Sequence, residues 1–550
     1  MTMQRTPLLL SRLTDRGARV APNEQVVTKQ PNGLHRQTLA QTRARAAQLA
    51  HALRAEGVKA GERVASLLWN NHRHLEMYQA IPSMGCVLHT LNLRLALGEL
   101  QYIIHHAEDA VIVVDQSHLA LLEQLAGKIP SVRRVVVASE PGAGAWKSAL
   151  PGAVDYEEFI ARHAKEIEWP VFDENAGAAL CYTSGTTGDP KGVLYTHRST
   201  YLHTMAQCMT DSMGLSAQDC LLQIVPMFHA MGWGAPFSVL TLGAKTVMPH
   251  RFMDPKSLVE LTRDEEVTIS LGVPTIWQGV RAFLEQNPGT DLGSLTRMTC
   301  GGSAPPVSLI EWYAKKYGVE MIQGWGMTET NPLVTVSRRV AKRAQRKALP
   351  EEQIANQAKA GQVIPGIDVA ILDENGRQLP HDGKSIGEVI VRGPWIAAEY
   401  YKNPQPAKFH EGWLRTGDVA MIDPEEYLII TDRTKDLIKS GGEWISSVDL
   451  ENHICSLAGV AQAAVVGVPH PKWDERPVAI VVRAPGSTVT QQQVLAHCEG
   501  RFAKWQLPDE VLFRDAIPLT STGKIDKKVI RSHLAAERYA LPDQKTGLAG

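Results

Sequence analysis

The sequence predicts an α/β protein: a large multi-layer N-terminal domain of mostly parallel sheets, followed by a small α+β domain. Three observations predict it: the length, the alternation of strand-like and helical segments, and a shortening of the elements near residue 432. With 550 residues, the chain is too long for one ordinary hydrophobic core. Its 44% hydrophobic and 21% charged residues are the balance of a globular protein.

The first half alternates helical and strand-like segments. Residues 38–41 read as a capping box, and the helix they open is expected to stop at Gly57. Short apolar runs suited to strands follow at 64–68, 111–114, 135–138, 179–183, 221–225 and 267–271. Apolar strands separated by helices indicate a largely parallel sheet buried on both faces. Ligands in such folds bind beyond the carboxyl ends of the strands.

The elements become shorter after about residue 432. Strands are predicted at 463–468, 478–482 and 511–513, and a helix is predicted over 491–502. A stretch of about 115 residues is within the usual range of one domain. The sequence therefore predicts a separate small α+β domain at this end.

Composition excludes several classes of protein. The formal net charge is −1, from 57 basic and 58 acidic residues, which argues against nucleic acid as a partner. No apolar run approaches the roughly 18 residues of a membrane span. The 7 cysteines are scattered and form no Cys-x-x-Cys pair, which argues against a disulfide framework or a zinc site and favours a reducing cytoplasm.

A basic cluster lies past the middle of the chain and has two interpretations. It is either a solvated helix or loop, or an electrostatic landing site for phosphates at the surface. Its members are Arg338, Arg339, Lys342, Arg343, Arg346 and Lys347.

Residues 182–192 form the most informative stretch. A predicted strand leads into a run rich in glycine and hydroxyl side chains, and Lys191 follows it. The glycines let backbone N–H groups turn toward one anion. A flexible linker would also be rich in such residues, but a linker does not explain the strand before the run. Pro190 stands where the Walker pattern requires its second glycine, so this is a phosphate loop of another type.

This stretch resembles the signature of the adenylate-forming superfamily, which includes acyl-CoA synthetases, peptide-synthetase adenylation domains and firefly-type luciferases. Further motifs of that superfamily follow in order over nearly the whole chain. The resemblance implies that a carboxylate and ATP form an acyl-adenylate and pyrophosphate, after which a thiol takes the acyl group. It also implies a large domain over 1–431, a hinge over 432–436 and a small domain over 437–550, with Lys435 as the hinge residue.

The resemblance implies a set of nucleotide contacts. Trp325 would stack on adenine, Thr328 would bind the α-phosphate and Asp418 would bind the ribose. Mg²⁺ would be held by Thr183 and Glu329. The implied ATP and AMP contacts are Thr183, Ser184, Gly185, Thr186, Thr187, Gly188, Lys191, Gly302, Ser303, Ala304, Pro305, Gln323, Gly324, Trp325, Met327, Thr328, Asp418, Arg433, Lys439 and Lys524.

The catalytic residues implied are Lys524, Lys191, Glu329 and His229. Lys524 lies in residues 518–525, which resemble the last core motif, and would bridge the substrate carboxylate and the α-phosphate. In the thiol-transfer state, related ligases use a segment that corresponds to Lys439, Gly441, Gly442, Glu443 and Trp444. That segment indicates CoA as the thiol.

Residues 226–234 resemble the motif that lines the acyl pocket, whose residues here are His229, Ala230, Trp233 and Gly302. Amino-acid-activating relatives usually have an Asp just after the phenylalanine that corresponds to Phe228, whereas this chain has His229 at that position. A substrate ammonium therefore has no evident partner. His229 serves either as a movable wall or as a base. The pattern is most similar to medium-chain fatty-acyl-CoA ligases and 3-methylmercaptopropionate ligases, so we expect a short- or medium-chain fatty acid or 3-methylmercaptopropionate. Long-chain and aryl acids stay open.

Two other functions compete with the acid–CoA ligase. One is a standalone adenylation enzyme that loads a carrier-protein thiol, and the other is an ATP-binding regulatory relative without activity. Lys191, Glu329 and Asp418 are all present, which argues against the second. The expected partners are a carboxylic acid, ATP and CoA, with no nucleic acid and no membrane span, and a homodimer is expected.

Overall fold

The computed structural model describes residues 2–183, 189–339, 350–441, 443–520 and 523–537. Within these ranges, one sheet of the large domain has seven strands. In spatial order they are Val154–Asp155, Arg134–Ala138, Asp109–Asp115, Arg63–Leu67, Val87–Thr90, Gly177–Thr183 and Lys191–Thr196.

All neighbours in this sheet are parallel except the last pair, in which Lys191–Thr196 returns antiparallel to Gly177–Thr183. The interior strand Asp109–Asp115 is buried along its whole length. A strand covered on both faces must be apolar throughout, and the run at 111–114 is. The predicted parallel sheet is therefore confirmed.

A second, larger sheet has fourteen strands among the described residues. In spatial order they are Asp368–Leu372, Gly387–Arg392, Trp413–Ile422, Tyr427–Arg433, Gly361–Val363, Leu333–Ser337, Glu320–Gly326, Arg297–Gly301, Ile269–Gly272, Cys220–Gln223, Lys245–Met248, Gln25–Gln30 and Gly33–Thr38, with Phe409–His410 beside Trp413–Ile422.

The two halves of this sheet differ in strand direction. The strands from Gln25–Gln30 to Glu320–Gly326 run parallel. From Glu320–Gly326 outward to Asp368–Leu372 the pairing is antiparallel. The alternating pattern predicted the parallel half. The antiparallel half lacks the regular alternation of strand and helix, with Pro350–Gln357 as its one α-helix among the described residues, and strand-like runs were not identified there.

The small domain has its own sheet, made of Glu443–Ile445, Ile438–Ser440, Asp474–Arg483, Val460–His470 and Glu510–Phe513. All three strands predicted from sequence are present. The predicted helix over 491–502 is shorter than expected and spans Gln491–Glu499. It ends before Gly500, because glycine is the poorest helix former after proline.

Helices cover the sheets. They are Leu10–Val20, Leu39–Ala55, His72–Ser83, Leu97–Ala107, Leu119–Glu123, Tyr156–Ala161, His197–Cys208, Ala235–Leu242, Pro255–Asp264, Pro274–Gln286, Val307–Tyr317, Pro350–Gln357, Ser447–Cys455, Gln491–Glu499 and Lys527–Ala536. The capping box is confirmed, because the Thr38 N–H donates to Gln41 Oε1 at 2.7 Å and the Gln41 N–H donates to Thr38 Oγ1 at 3.2 Å. In the described ranges, no helix combines the length and apolarity needed to cross a membrane.

Gly17 marks the tightest helix contact next to the acyl-pocket motif. It lies in Leu10–Val20, which packs on Ala235–Leu242. A Cβ at Gly17 would come within 2.1 Å of the Leu240 carbonyl oxygen. Replacing a helical glycine by alanine ordinarily stabilises a helix by about 1 kcal/mol, but here the clash outweighs that gain.

We predict that Gly17→Ala lowers the free energy of unfolding by about 1–3 kcal/mol, measured as a lower melting temperature. Gly98→Ala is the matched control: it also lies in a helix, and no heavy atom lies within 4 Å of its Cβ position. The control should melt at or slightly above the wild-type temperature. A Gly17→Ala protein as stable as the control would show that the two helices do not pack this closely.

Candidate active site

The site lies where loops follow the carboxyl ends of strands in both large-domain sheets. Thr183 is the last residue of one strand, and Lys191 is the first residue of the next and its register partner. They flank the predicted phosphate loop from both sides. The loop residues Ser184, Gly185, Thr186, Thr187 and Gly188 lie outside the described residues.

Lys191 and Glu329 are held by a loop that the sequence reasoning missed. Lys191 Nζ donates to Gln405 Oε1 at 2.9 Å and lies 5.2 Å from the centre of the Tyr400 ring. The Tyr400 hydroxyl donates to Glu329 Oε1 at 2.5 Å, and the Ala397 N–H donates to the Glu329 carbonyl at 2.8 Å. No local pattern in residues 397–405 signals this role.

Asp418 is bound on both oxygens. The Trp325 indole N–H donates to Oδ2 at 2.9 Å, and Arg433 Nε lies 3.2 Å from Oδ1. Asp418 and Arg433 are cross-strand partners, which explains why they meet although fifteen positions apart. The carboxylate is 8% exposed, and its orientation is fixed by two donors before any nucleotide binds.

Two loop segments converge beside these side chains. Gly301 ends its strand and is the register partner of Gly324 on the neighbouring parallel strand, which continues to Gly326, so residues 302–305 leave the sheet beside Trp325 and the segment 327–328 that follows it. Thr328 is buried, and its carbonyl accepts from the Tyr195 hydroxyl at 2.6 Å. The segment 302–305 precedes the helix Val307–Tyr317, and Met327 packs against the neighbouring core.

Gln323 faces away from this convergence. With its amide oriented to suit its neighbours, the side-chain nitrogen donates to the carbonyls of Ala358 and Lys359 at 3.0 and 3.1 Å. Its predicted contact with the nucleotide remains a prediction.

Lys524 reaches from the small domain into this cleft. A Cβ built on Gly302 would lie 3.1 Å from Lys524 Cε, so a side chain there would crowd the lysine, and the φ of +84° also favours glycine. Burial and the charge of Arg433 lower the Lys524 pKa to about 8, while Asp418 and Glu329 act in the opposite direction. The ammonium therefore lies among the side chains implied to bind ATP and metal.

The acyl-pocket motif contacts the same cleft. Burial and the nearby Lys524 lower the His229 pKa to about 3, so its imidazole is neutral at pH 7. Residues 230–234 all have positive φ, from 43° to 75°, which turns the chain sharply. That turn lays Trp233 against Gly301, where a Cβ would be 3.0 Å from Cη2 of the indole.

The segment implied in thiol transfer lies on the small domain and faces outward. Lys439 pairs with Trp444 across a short hairpin, and Lys439 Nζ lies 5.7 Å from the Trp444 ring centre. Trp444 is 47% exposed, and Glu443 is exposed as well. Gly441 has φ +61°, and Gly442 lies outside the described residues. The structure thus brings Lys524 into the cleft but not Trp444.

The expected metal ligands, Thr183 and Glu329, offer oxygen atoms, which suit a hard cation. Glu329 offers a buried carboxylate, of which one oxygen is bound by Tyr400, and Thr183 ends the strand before the phosphate loop. In the part of the chain that the structure describes, no group of three or more His, Cys, Asp or Glu could hold a metal. One carboxylate that shares a cation with substrate phosphates is the usual arrangement for Mg²⁺, and these residues fit it.

The basic cluster is only partly within the described residues. Arg338 forms an ion pair with Glu320 at 2.9 Å, and the Arg339 N–H donates to the same carboxylate. These contacts anchor the start of the segment. Lys342, Arg343, Arg346 and Lys347 lie outside the described residues, so both interpretations stay open.

Curated relatives match nearly the whole chain. A 3-methylmercaptopropionyl-CoA ligase from Ruegeria lacuscaerulensis is 43% identical, covering 96% of this chain and 98% of the relative. A medium-chain-fatty-acid–CoA ligase from Ectopseudomonas oleovorans is 40% identical, covering 96% of both. A long-chain-fatty-acid–CoA ligase from Thermus thermophilus is 44% identical, again covering 96% of both.

Solved structures share the fold. ATP-bound MatB from Rhodopseudomonas palustris has a TM-score of 0.80 at 27% identity, over 95% of this chain and 99% of that one. The anthranilate CoA ligase AuaEII with anthranoyl-AMP has a TM-score of 0.86 at 25% identity, over 97% and 100%. The description "AMP-binding enzyme C-terminal domain" matches residues 449–524, and "AMP-binding enzyme" matches residues 14–401. The match to "AMP-binding enzyme" covers more than half of this chain, so the chain belongs to the AMP-binding enzyme family.

Proposed function

We propose that this protein is an ATP-dependent acid–CoA ligase. A carboxylate oxygen attacks the α-phosphorus of ATP and pyrophosphate leaves; the sulfur of CoA then attacks the acyl carbon and AMP leaves. The observation that carries the proposal is the convergence of Lys524 with Glu329, Asp418 and Arg433 beside the acyl-pocket motif. The activities of the three curated relatives described above, all acid–CoA ligases, support it.

The first half-reaction joins two anions, so the residues must supply positive charge. Lys524 would contact both the substrate carboxylate and the α-phosphate, and Lys191 would leave Gln405 to meet the outer phosphates. Charges aimed at the transition state typically contribute about 10²–10³-fold in rate each. Asp418 would hold the ribose hydroxyls, and Trp325 would cover the adenine.

Thr183 and Glu329 would hold Mg²⁺, which when bound neutralises phosphate charge. Tyr400 keeps Glu329 oriented by donating to one oxygen. The other oxygen is left for the cation. The bond between the Tyr400 hydroxyl and the Glu329 carboxylate fixes the Glu329 side chain before the nucleotide enters.

The second half-reaction needs a different face of the small domain. Lys524 occupies the approach to the acyl carbon, so the domain must rotate, with Lys435 as its pivot. The proposed domain limits are 1–431, 432–436 and 437–550, with this pivot inside the middle range. Rotation would bring Lys439, Gly441, Gly442, Glu443 and Trp444 to the cleft, where the glycines leave space for the pantetheine arm of CoA.

The acid is proposed to be a short- or medium-chain fatty acid or 3-methylmercaptopropionate. A neutral His229 offers no charge to a substrate ammonium, which disfavours amino acids. It acts as a wall rather than a base, because an imidazole with a pKa of about 3 binds a proton too weakly at neutral pH. We also propose a homodimer, as the resemblance implies, and a location in the cytoplasm, as the scattered cysteines indicate.

The direct test measures AMP formation for a panel of acids with ATP, Mg²⁺ and CoA. We expect AMP from propionate to decanoate and from 3-methylmercaptopropionate, and none from free amino acids. A parallel panel with a carrier-protein thiol in place of CoA should give no thioester. Absence of pyrophosphate release across the whole panel would contradict the proposed function.

We predict that Lys524→Ala abolishes adenylation but largely spares thioester formation from supplied acyl-adenylate. The reason is that the ammonium acts only on the substrate carboxylate and α-phosphate. Pyrophosphate release and acyl-CoA formation are measured separately. Lys528 is an exposed lysine on the adjoining helix. Lys528→Ala is therefore the matched control and should retain both activities. Equal loss of both half-reactions in Lys524→Ala would count against the assignment.

We predict that kcat/KM for ATP in the adenylation step falls as pH rises through about 8. The pKa of Lys524 is lowered to about 8, so the ammonium is present below that pH and is lost above it. The pH profile of kcat/KM reports groups of the free enzyme. Lys524→Arg keeps its charge over this range, so its residual rate should lack the alkaline decline. A wild-type profile that is flat to pH 9.5 would disprove the prediction.

We predict that Trp233→Ala shifts the acid preference toward longer chains. The indole lies against Gly301 at the cleft, so its removal lengthens the space for the acyl tail. The ratio of kcat/KM for dodecanoate to that for hexanoate should rise at least tenfold. Trp312→Ala, on the helix Val307–Tyr317 away from the motif, should leave the ratio unchanged. An unchanged ratio in Trp233→Ala would exclude this side chain from the acyl pocket.

A further inference from the structure

We propose that Asp432, Ser447 and Lys527 form a latch that holds the small domain in the orientation presenting Lys524, so that these residues position the adenylation state. This inference rests on the proposed function, because it concerns which half-reaction the enzyme is set up to perform. None of the three side chains belongs to the nucleotide or acyl contacts described above.

The bonds around Lys435 place the pivot between two bodies. Thr434 is held by the large domain, since its N–H donates to the Gly417 carbonyl at 3.0 Å. Asp436 is held by the small domain, since Arg531 of the last helix donates to its carboxylate at 2.7 Å. Lys435 alone lies between these anchors, and its side chain is exposed. Residues up to Thr434 therefore stay with the large domain when the other body turns.

Asp432 lies on the large-domain side of that pivot but bonds to the small domain. Its backbone pairs with Val419 in the large sheet. Its Oδ2 accepts from the backbone N–H of Ser447 at 2.7 Å and from the Ser447 hydroxyl. Ser447 opens the first helix of the small domain, so the side chain of Asp432 joins the two bodies.

Lys527 completes the latch from the other end of the small domain. Its Nζ donates to Ser447 Oγ at 2.5 Å and lies 2.8 Å from Glu451 Oε1. The Ser446 hydroxyl adds a bond to the carbonyl of Thr431 at 2.5 Å. Lys527 thus forms an ion pair with Glu451 and also donates to the Ser447 hydroxyl. That hydroxyl in turn donates to the Asp432 carboxylate.

The bonds between Asp432 and Ser447 are strengthened by the burial of both residues. Asp432 is 1% exposed and Ser447 is fully buried, so a turn of the small domain that separates them removes both Ser447 donors from Oδ2 of Asp432, while Oδ1 keeps the bond from the Arg433 N–H. Such a separation is costly, because a buried charged acceptor deprived of its donor loses its compensation. The latch therefore favours the orientation with Lys524 in the cleft until a product or thiol makes the other orientation better.

The test compares the two half-reactions in the full-length chain, with hexanoate, ATP and Mg²⁺ for the first and hexanoyl-adenylate with CoA for the second. Ser447→Ala should slow single-turnover pyrophosphate release about tenfold, the effect of one hydrogen bond to a charged group, and should not slow thioester formation. Asp432→Asn, which keeps the shape of the side chain, should act in the same direction. Ser456→Ala is the matched control: this exposed hydroxyl bonds only within the small domain, to the His453 carbonyl and to Nε2 of His497, and both rates should stay at the wild-type level.

Equal slowing of both half-reactions in Ser447→Ala and Asp432→Asn would mean a general structural role and would overturn the latch, as would no change in either. Limited trypsin digestion tests the latch without activity. Cleavage at 433–435 should be faster in Ser447→Ala than in wild type or Ser456→Ala, and equal cleavage rates would overturn it. A wild-type protein that releases no pyrophosphate with any acid would contradict the proposed function, and the digestion would still decide the latch.

Discussion

The ammonium of Lys524 inside the cleft is the interaction on which the site depends. It comes from the small domain, and its neighbours Glu329, Asp418 and Arg433 all belong to the large domain. Two carboxylates draw the ammonium in, and burial together with the guanidinium opposes its charge. The balance leaves a lysine that is easily deprotonated but still attracted to an incoming polyanion. A phosphate chain would shift that balance toward the charged form, because an opposite charge nearby favours it.

Three charged side chains of the cleft have a fixed partner in the structure. Asp418 is held by Trp325 and Arg433, Glu329 by Tyr400, and Lys191 by Gln405. These partners orient the groups before ATP arrives, so less ordering is required at the moment of reaction. They also divide into two kinds. Glu329 keeps one oxygen outside its bond with Tyr400, whereas Lys191 would have to exchange its amide partner for phosphate.

Local sequence predicted the parts of the fold that have local causes. The capping box at Thr38, the buried strand at 109–115 and the strand before the phosphate loop each follow from side-chain spacing and apolarity. The ordered motifs also predicted that Lys524 and Asp418 belong to one site. The remainder depends on contacts between distant residues. Tyr400 on Glu329 and Asp432 on Ser447 join separate elements, and no spacing along the chain encodes such meetings.

The acyl-pocket motif shows why a backbone conformation escapes sequence reading. Residues 230–234 form a left-handed turn, which costs non-glycine residues roughly 1–2 kcal/mol each. The turn persists because buried amides satisfy it: Gln207 donates to the Trp233 carbonyl at 2.7 Å, and Gln223 donates to the Gly232 carbonyl at 3.2 Å. At Gly234 a Cβ would lie 2.7 Å from a ring atom of His203, so a residue larger than glycine does not fit there. The wall that Trp233 presents is therefore set by packing beneath the pocket, and the proposed preference for an uncharged tail of limited length follows from a rigid apolar surface rather than from a charged recognition group.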